Sequence, residues 1–207
     1  MQTYEFGNPH ASIVLIEPIH TVEGMANEAD IIRELAGDRF LLRAAAVDWF
    51  RDLSPWPAPP VFGNTAFGDG ARETLEQILK LTGEPGKQYV LGGYSMGGLF
   101  SLWAAYQTDA FAGVAAVSPS VWFPGFAEYT LSRTPRTGQV YLSLRDREEK
   151  TRNPVMATVG SRIRELHERL VQQGVSCRLE WNKGNHFMDP DRRTAKGFAW
   201  ILKEIES

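Results

Sequence analysis

The stretch Gln88-Tyr89-Val90-Leu91-Gly92-Gly93-Tyr94-Ser95-Met96-Gly97-Gly98-Leu99-Phe100 joins an apolar strand signal to an apolar helix signal through a glycine-rich turn with a serine at its apex. Read as Gly-x-Ser-x-Gly from Gly93 to Gly97, it presents Ser95 on a sharp strand-to-helix turn. Such a turn needs small flanks, because a Cβ on either side would collide with neighbouring backbone. The helix that opens there aims unpaired N–H groups and a partial positive charge at the serine. The Met96 N–H is placed to bond a developing oxyanion. A glycine-rich turn with a capping serine would explain the pentapeptide alone. The strand before it and the helix after it are the context that a nucleophile requires.

Outward from this turn, the same alternation runs along the chain. Short apolar strands are expected at 12–17, 40–47, 88–92, 113–117, 140–144 and 176–181, with a further short one near 3–6. Helices are expected at 27–36, 71–82, 97–107, 154–173 and 190–205. In the first helix, Ala29, Ile32, Leu35 and Ala36 are read as one buried face, and the first long strand is read as ending at Pro18. The run Leu53-Ser54-Pro55-Trp56-Pro57-Ala58-Pro59-Pro60 is a stiff loop, because proline removes amide donors and fixes φ. A second loop is expected at 118–126. Strands alternating with helices predict an α/β fold with a mostly parallel central sheet covered on both faces, and nothing splits residues 1–207 into two domains.

Composition narrows the function classes. With 22 Lys+Arg against 25 Asp+Glu, the formal charge is −3, and no basic face is concentrated enough to expect nucleic acid as a partner. The start of the chain lacks a positive segment followed by an apolar one, and apolar runs fall short of the ~20 residues that cross a bilayer, so neither a signal peptide nor a membrane partner is expected. Cys177 is the single cysteine, which excludes an intrachain disulfide and leaves a cytoplasmic location as the expectation. Oligomeric state is not legible. Gly68-Asp69-Gly70 lacks the third glycine of a dinucleotide turn, and Gly86-Lys87 lacks the Ser or Thr of a phosphate loop. Asp189 and Asp191 read as the acidic first turn of the last helix rather than as metal ligands beside His186. No cofactor and no metal are expected.

A serine hydroxyl is a weak nucleophile until a base takes its proton. Two histidines follow Ser95. His167 falls mid-helix, whereas His186 lies in Lys183-Gly184-Asn185-His186-Phe187, a loop just after the last strand, and is the candidate base. The carboxylate that orients it is sought just beyond the strand at 140–144, in Arg145-Asp146-Arg147-Glu148-Glu149. Glu148 is preferred, with Asp146 close behind. A second oxyanion donor is sought just past the strand ending near Glu17, with Ile19 and His20 as candidates. Trp56, Trp122, Phe123, Phe187 and Met188 lie in loops at the same edge and are candidates for an apolar substrate pocket, with Trp56, Trp122 and Phe187 foremost.

Taken together, Gly92-Gly93-Tyr94-Ser95-Met96-Gly97-Gly98, Val117-Ser118-Pro119-Ser120-Val121-Trp122 and Gly184-Asn185-His186 resemble the α/β-hydrolase superfamily. Within it they resemble the esterase family that includes esterase D, siderophore (enterochelin-type) esterases and feruloyl esterases. The Ser-Pro-Ser-x-Trp run is the most family-specific of the three. The resemblance implies a single-domain α/β-hydrolase with no separate lid domain, a Ser95 nucleophile, a His186 base and Glu148 at the position of the acid. It departs from relatives at Arg145, where they often carry glycine. The implied activity is cleavage of small-molecule carboxylic esters, thioesters included, through an acyl-enzyme. The alternatives are acyl transfer from the same intermediate and a non-catalytic binding module on the same fold.

Overall fold

The computed structural model describes residues 1–205. The inner strands of its sheet are apolar at most positions, as required where both faces are covered, while the two edge strands are mixed and partly exposed. The strands are β1 (Thr3–Gly7), β2 (Ile13–Ile19), β3 (Phe40–Ala46), β4 (Gln88–Tyr94), β5 (Gly113–Val117), β6 (Gln139–Arg145) and β7 (Ser176–Asn182). They lie in the order β1-β3-β2-β4-β5-β6-β7, with β1 antiparallel to β3 and all other pairs parallel. The order reverses direction at β2 and β4, and Ser95 follows the C-terminal end of β4. This is the kind of crevice in which open α/β sheets carry their sites.

The helices are α1 (Met25–Ala36), α2 (Ala71–Leu79), α3 (Met96–Ala105), α4 (Phe126–Leu131), α5 (Val159–Gln172) and α6 (Pro190–Glu204). Side-chain alternation along the strands divides the core in two. Ile13, Leu15, Val90, Ala115, Val117 and Tyr141 face α1 and α6. Val14, Ile16, Leu91, Val114, Ala116 and Leu142 face α2, α3 and α5 on the other side. The last helix lies tight on the sheet: a Cβ at Gly92 would stand 2.5 Å from the Phe198 ring, and one at Gly113 would stand 2.6 Å from Ile201.

Three expectations are corrected. β2 runs through Pro18 to Ile19 instead of stopping at Pro18. Its pairing with β4 ends at Ile16, so the missing proline N–H breaks no bond on that side. The buried face of α1 is Met25, Glu28, Ala29 and Ile32, whereas Leu35 is exposed. The loop expected at 118–126 is followed by α4, a short helix entered through Gly125 at φ 81°, and α5 starts later than expected, after two 3-10 turns at Glu148–Lys150 and Met156–Thr158.

Glu28 on α1 and Glu17 on β2 are both buried and interact electrostatically, with Asp191 of α6 nearby. Burial raises the Glu17 carboxyl to about 7, and burial together with the charge of Glu17 raises Glu28 well above the usual carboxylate range. Carboxyl groups raised in this way bind more protons folded than unfolded. Their contribution to stability is therefore fullest below about pH 4.5 and is lost as pH rises through about 7. Glu17→Gln is expected to leave urea unfolding near pH 4.5 almost unchanged and to stabilise the protein at pH 8. A variant equally or less stable than wild type at pH 8 would show that the pair carries no such cost.

Candidate active site

Ser95 holds φ 56° and ψ −115°, a strained conformation for a residue with a Cβ, between β4 and α3. Its N–H donates to the Val117 carbonyl at 2.9 Å, and its carbonyl accepts from Leu99 at 3.0 Å and Ser120 at 3.1 Å. The close approaches that make the turn possible are at Gly93 and Gly98. A Cβ on Gly93 would lie 2.9 Å from the Gly97 backbone, and one on Gly98 would lie 3.0 Å from the Gly93 carbonyl and 3.1 Å from Pro119. Gly97, expected to share this duty with Gly93, has ordinary contact distances instead. Its nearest neighbours, the Pro18 carbonyl and Trp49, are 3.4 Å away.

The His186 ring bridges two groups brought from distant parts of the chain. Its Nε2 is 3.1 Å from Ser95 Oγ, and its Nδ1 is 2.7 Å from Glu148 Oε2. Glu148 has only 5% of its side chain exposed. Burial would raise its carboxyl, but the bond and charge of His186, the Ser118 hydroxyl and the Arg145 N–H together hold it below the usual range. An ionised carboxylate only accepts, so Nδ1 carries the ring proton and Nε2 turns a lone pair to the serine. The arrangement can take a proton from Ser95 Oγ and keep the resulting imidazolium beside a fixed negative charge.

The second oxygen of Glu148 is held as firmly as the first. Oε1 accepts the Arg145 N–H at 2.9 Å and the Ser118 hydroxyl, and Ser118 accepts in turn from Arg193 of α6. Ser118 itself stands at φ 41°. The whole Ser-Pro-Ser-x-Trp run is thereby accounted for: Ser118 holds Glu148, Pro119 packs on Gly98, the Ser120 N–H holds the Ser95 carbonyl, and Trp122 lines the cleft.

Of the other predicted residues, Asp146 does not reach His186. It turns away, and its Oδ1 accepts the Gly184 N–H at 2.9 Å, which shapes the His186 loop from below. Ile19 is the last residue of β2, with its side chain in the core and its carbonyl accepting from Val47. The exposed His20 ring stands edge-on to Trp49, 6.4 Å between centroids, and does not line the cleft. Met96 opens α3 at the cleft wall. Trp122 and Phe187 also line the cleft, a cavity of about 540 Å³, although Phe187 is 84% exposed. Trp56 is corrected: it is outside this cavity. Its Nε1 donates to the Pro124 carbonyl at 2.8 Å and its ring packs on Phe123 and Tyr129, beside a separate groove. Burial pushes the Cys177 thiol up to about 12, so it is no thiolate nucleophile. Among the described residues, no cluster of three or more His, Cys, Asp or Glu is arranged to hold a metal ion.

Several site residues had no sequence signal. Trp49, Phe50, Phe62 and Met156 reach the cleft from loops with no motif of their own. The Tyr94 hydroxyl donates to the His186 carbonyl, and its ring lies 4.8 Å from the imidazole.

The match to known proteins can now be placed on this geometry. The family model described as putative esterase matches residues 58–183, well over half of the chain, including Ser95 and Glu148 and ending just before His186. The chain belongs to this esterase family. It has the α/β-hydrolase fold of a serine hydrolase, and solved structures agree with that fold. A siderophore hydrolase from Aspergillus nidulans superposes with TM-score 0.67 at 20% identity, over 96% of this chain and 85% of that one. An IroE-like serine hydrolase from Shewanella oneidensis gives TM-score 0.72 at 15% identity, over 98% and 75%. A carboxylesterase from Bacillus cereus gives 0.61 at 15%, over 98% and 94%. Comparison with curated proteins finds no match.

Arg145 is the clamp of this esterase's His186 loop. Its guanidinium donates to the carbonyls of Lys183 and Met188, the latter at 2.7 Å, and to Asp189 Oδ2 at 3.0 Å. Removing it takes the charged donor from the Lys183 and Met188 carbonyls. Arg145→Met is expected to lower unfolding stability by about 2 kcal/mol. Ester turnover by the folded variant should fall by about tenfold or more, because the imidazole loses its fixed position. Full turnover at wild-type stability would show that the loop holds itself.

Proposed function

We propose that this protein hydrolyses carboxylic esters, thioesters included, through a Ser95–His186–Glu148 triad and an acyl-enzyme. The reading is carried by one observation, the imidazole of His186 bonded to Ser95 Oγ on one side and to a buried, ionised Glu148 on the other. Ser95 Oγ attacks the ester carbonyl as its proton passes to His186 Nε2. The imidazolium is stabilised by Glu148, which stays ionised. The oxyanion is met by the Met96 N–H at the first turn of α3. A second donor is supplied where the chain leaves β2 at Ile19 and His20, a segment whose Pro18 packs on Gly97. The acyl–oxygen bond then breaks, and the leaving oxygen takes the proton from Nε2. Water attacks the acyl-enzyme with His186 as base, and the proton returns to Ser95 as the acid departs.

A fluorophosphonate probe is expected to label Ser95 stoichiometrically, read by intact mass, and to leave Ser95→Ala and His186→Ala unlabelled. A well-folded wild type that resists labelling would remove the nucleophile from this account. The acid is separable from its neighbour. Glu148→Gln should lower kcat by about a thousandfold, since an amide cannot favour the Nδ1–H tautomer or the imidazolium, while Asp146→Asn should cost much less. Equal losses in the two variants would mean that Glu148 does not orient His186.

A further inference from the structure

The cleft above Ser95 is walled by apolar side chains, among them Trp49, Phe50, Phe62, Trp122 and Met156. Arg147 stands in the same wall. It is exposed, its N–H donates to the Gly184 carbonyl at 3.2 Å, and no hydrogen bond or ion pair reaches its guanidinium among the described residues. The carboxylates that could neutralise it are engaged elsewhere. Glu148 is held by His186, Ser118 and the Arg145 N–H. Glu149 receives both arms of Arg164 at 3.0 Å each, and Asp146 takes the Gly184 N–H. The pattern is a solvent-exposed guanidinium at the margin of an apolar cleft that also holds Ser95 and His186. Its planar fork matches a carboxylate.

Resting on the esterase reading, we propose that the cleft selects esters whose apolar body carries a carboxylate remote from the scissile bond, with Arg147 as the specificity-determining residue. The apolar walls hold the body, and Arg147 holds the charged end. Because that contact is the same before and during bond breaking, it acts on KM and leaves kcat nearly untouched.

The test uses two esters with the same leaving group and chain length, the p-nitrophenyl monoester of suberic acid, which bears a free carboxylate, and neutral p-nitrophenyl octanoate. Wild type is expected to prefer the anionic ester in kcat/KM. In Arg147→Gln that preference should fall by about fivefold through KM, and in Arg147→Glu it should reverse. Added salt should erode the preference of wild type and leave that of Arg147→Gln unchanged. Turnover of both esters with the same ratio in wild type, Arg147→Gln and Arg147→Glu would overturn this inference alone. Failure to turn over either ester, together with failure of Ser95 to take the fluorophosphonate, would overturn the esterase reading and this inference with it.

Discussion

The carboxylate of Glu148 is a negative charge kept ionised in a place that opposes ionisation, and the active edge is built around that constraint. Burial alone pushes it toward protonation, and a protonated acid could not hold the His186 proton in place. Ionisation is secured by donors drawn from across the fold: the His186 ring, the Ser118 hydroxyl and the Arg145 N–H, with the Arg193 guanidinium 3.7 Å from Oε1. Each donor is held in turn. Arg193 belongs to α6, which lies so close to the sheet that Gly92 has no room for a Cβ, and Ser118 accepts from Arg193 while donating to the acid. Burial lowers the pKa of Arg193 itself, and the charge of Glu148 opposes that shift.

Ser95 is subject to a different constraint, one of volume. The turn puts its backbone at positive φ, and the neighbouring chain closes around it at Gly93, Gly98 and Pro119. The loop after β5 serves both demands at once. Ser118 answers the charge of the acid, while Pro119 and Ser120 fix the turn that bears the nucleophile. That double duty gives a physical reason for the Ser-Pro-Ser-x-Trp run to be so specific a pattern.

What could be read from the sequence followed the strength of local signals. Apolar periodicity is local, and the parallel order, the two-sided core and the strand-to-helix setting of Ser95 were all legible from it. Pro18 and Leu35 escape a local reading for one reason: both depend on which neighbour lies alongside, the pairing of β2 with β4 stopping at Ile16 in one case and α6 packing on α1 in the other. In Arg145-Asp146-Arg147-Glu148 the side chains diverge, so that Glu148 meets the imidazole, Asp146 the Gly184 amide and Arg145 the His186 loop, while Arg147 lines the cleft. Spacing alone does not distinguish a carboxylate that turns in from one two residues earlier that turns out.

Trp56 shows how far loop aromatics can be trusted as pocket residues. An indole between prolines at the active edge has the right chemistry to line a cleft, yet its N–H is taken by Pro124 and its face by Phe123 and Tyr129. Phe123 packs on Phe67, and Phe67 on Trp122 and Phe62, so a continuous aromatic layer runs from Trp56 to the cleft wall. Trp56 buttresses this layer from the far side without touching the space above Ser95. Its contribution to the cleft is therefore one of position: it fixes the rings that fix Trp122, and any effect of altering it on the cleft must pass through their packing.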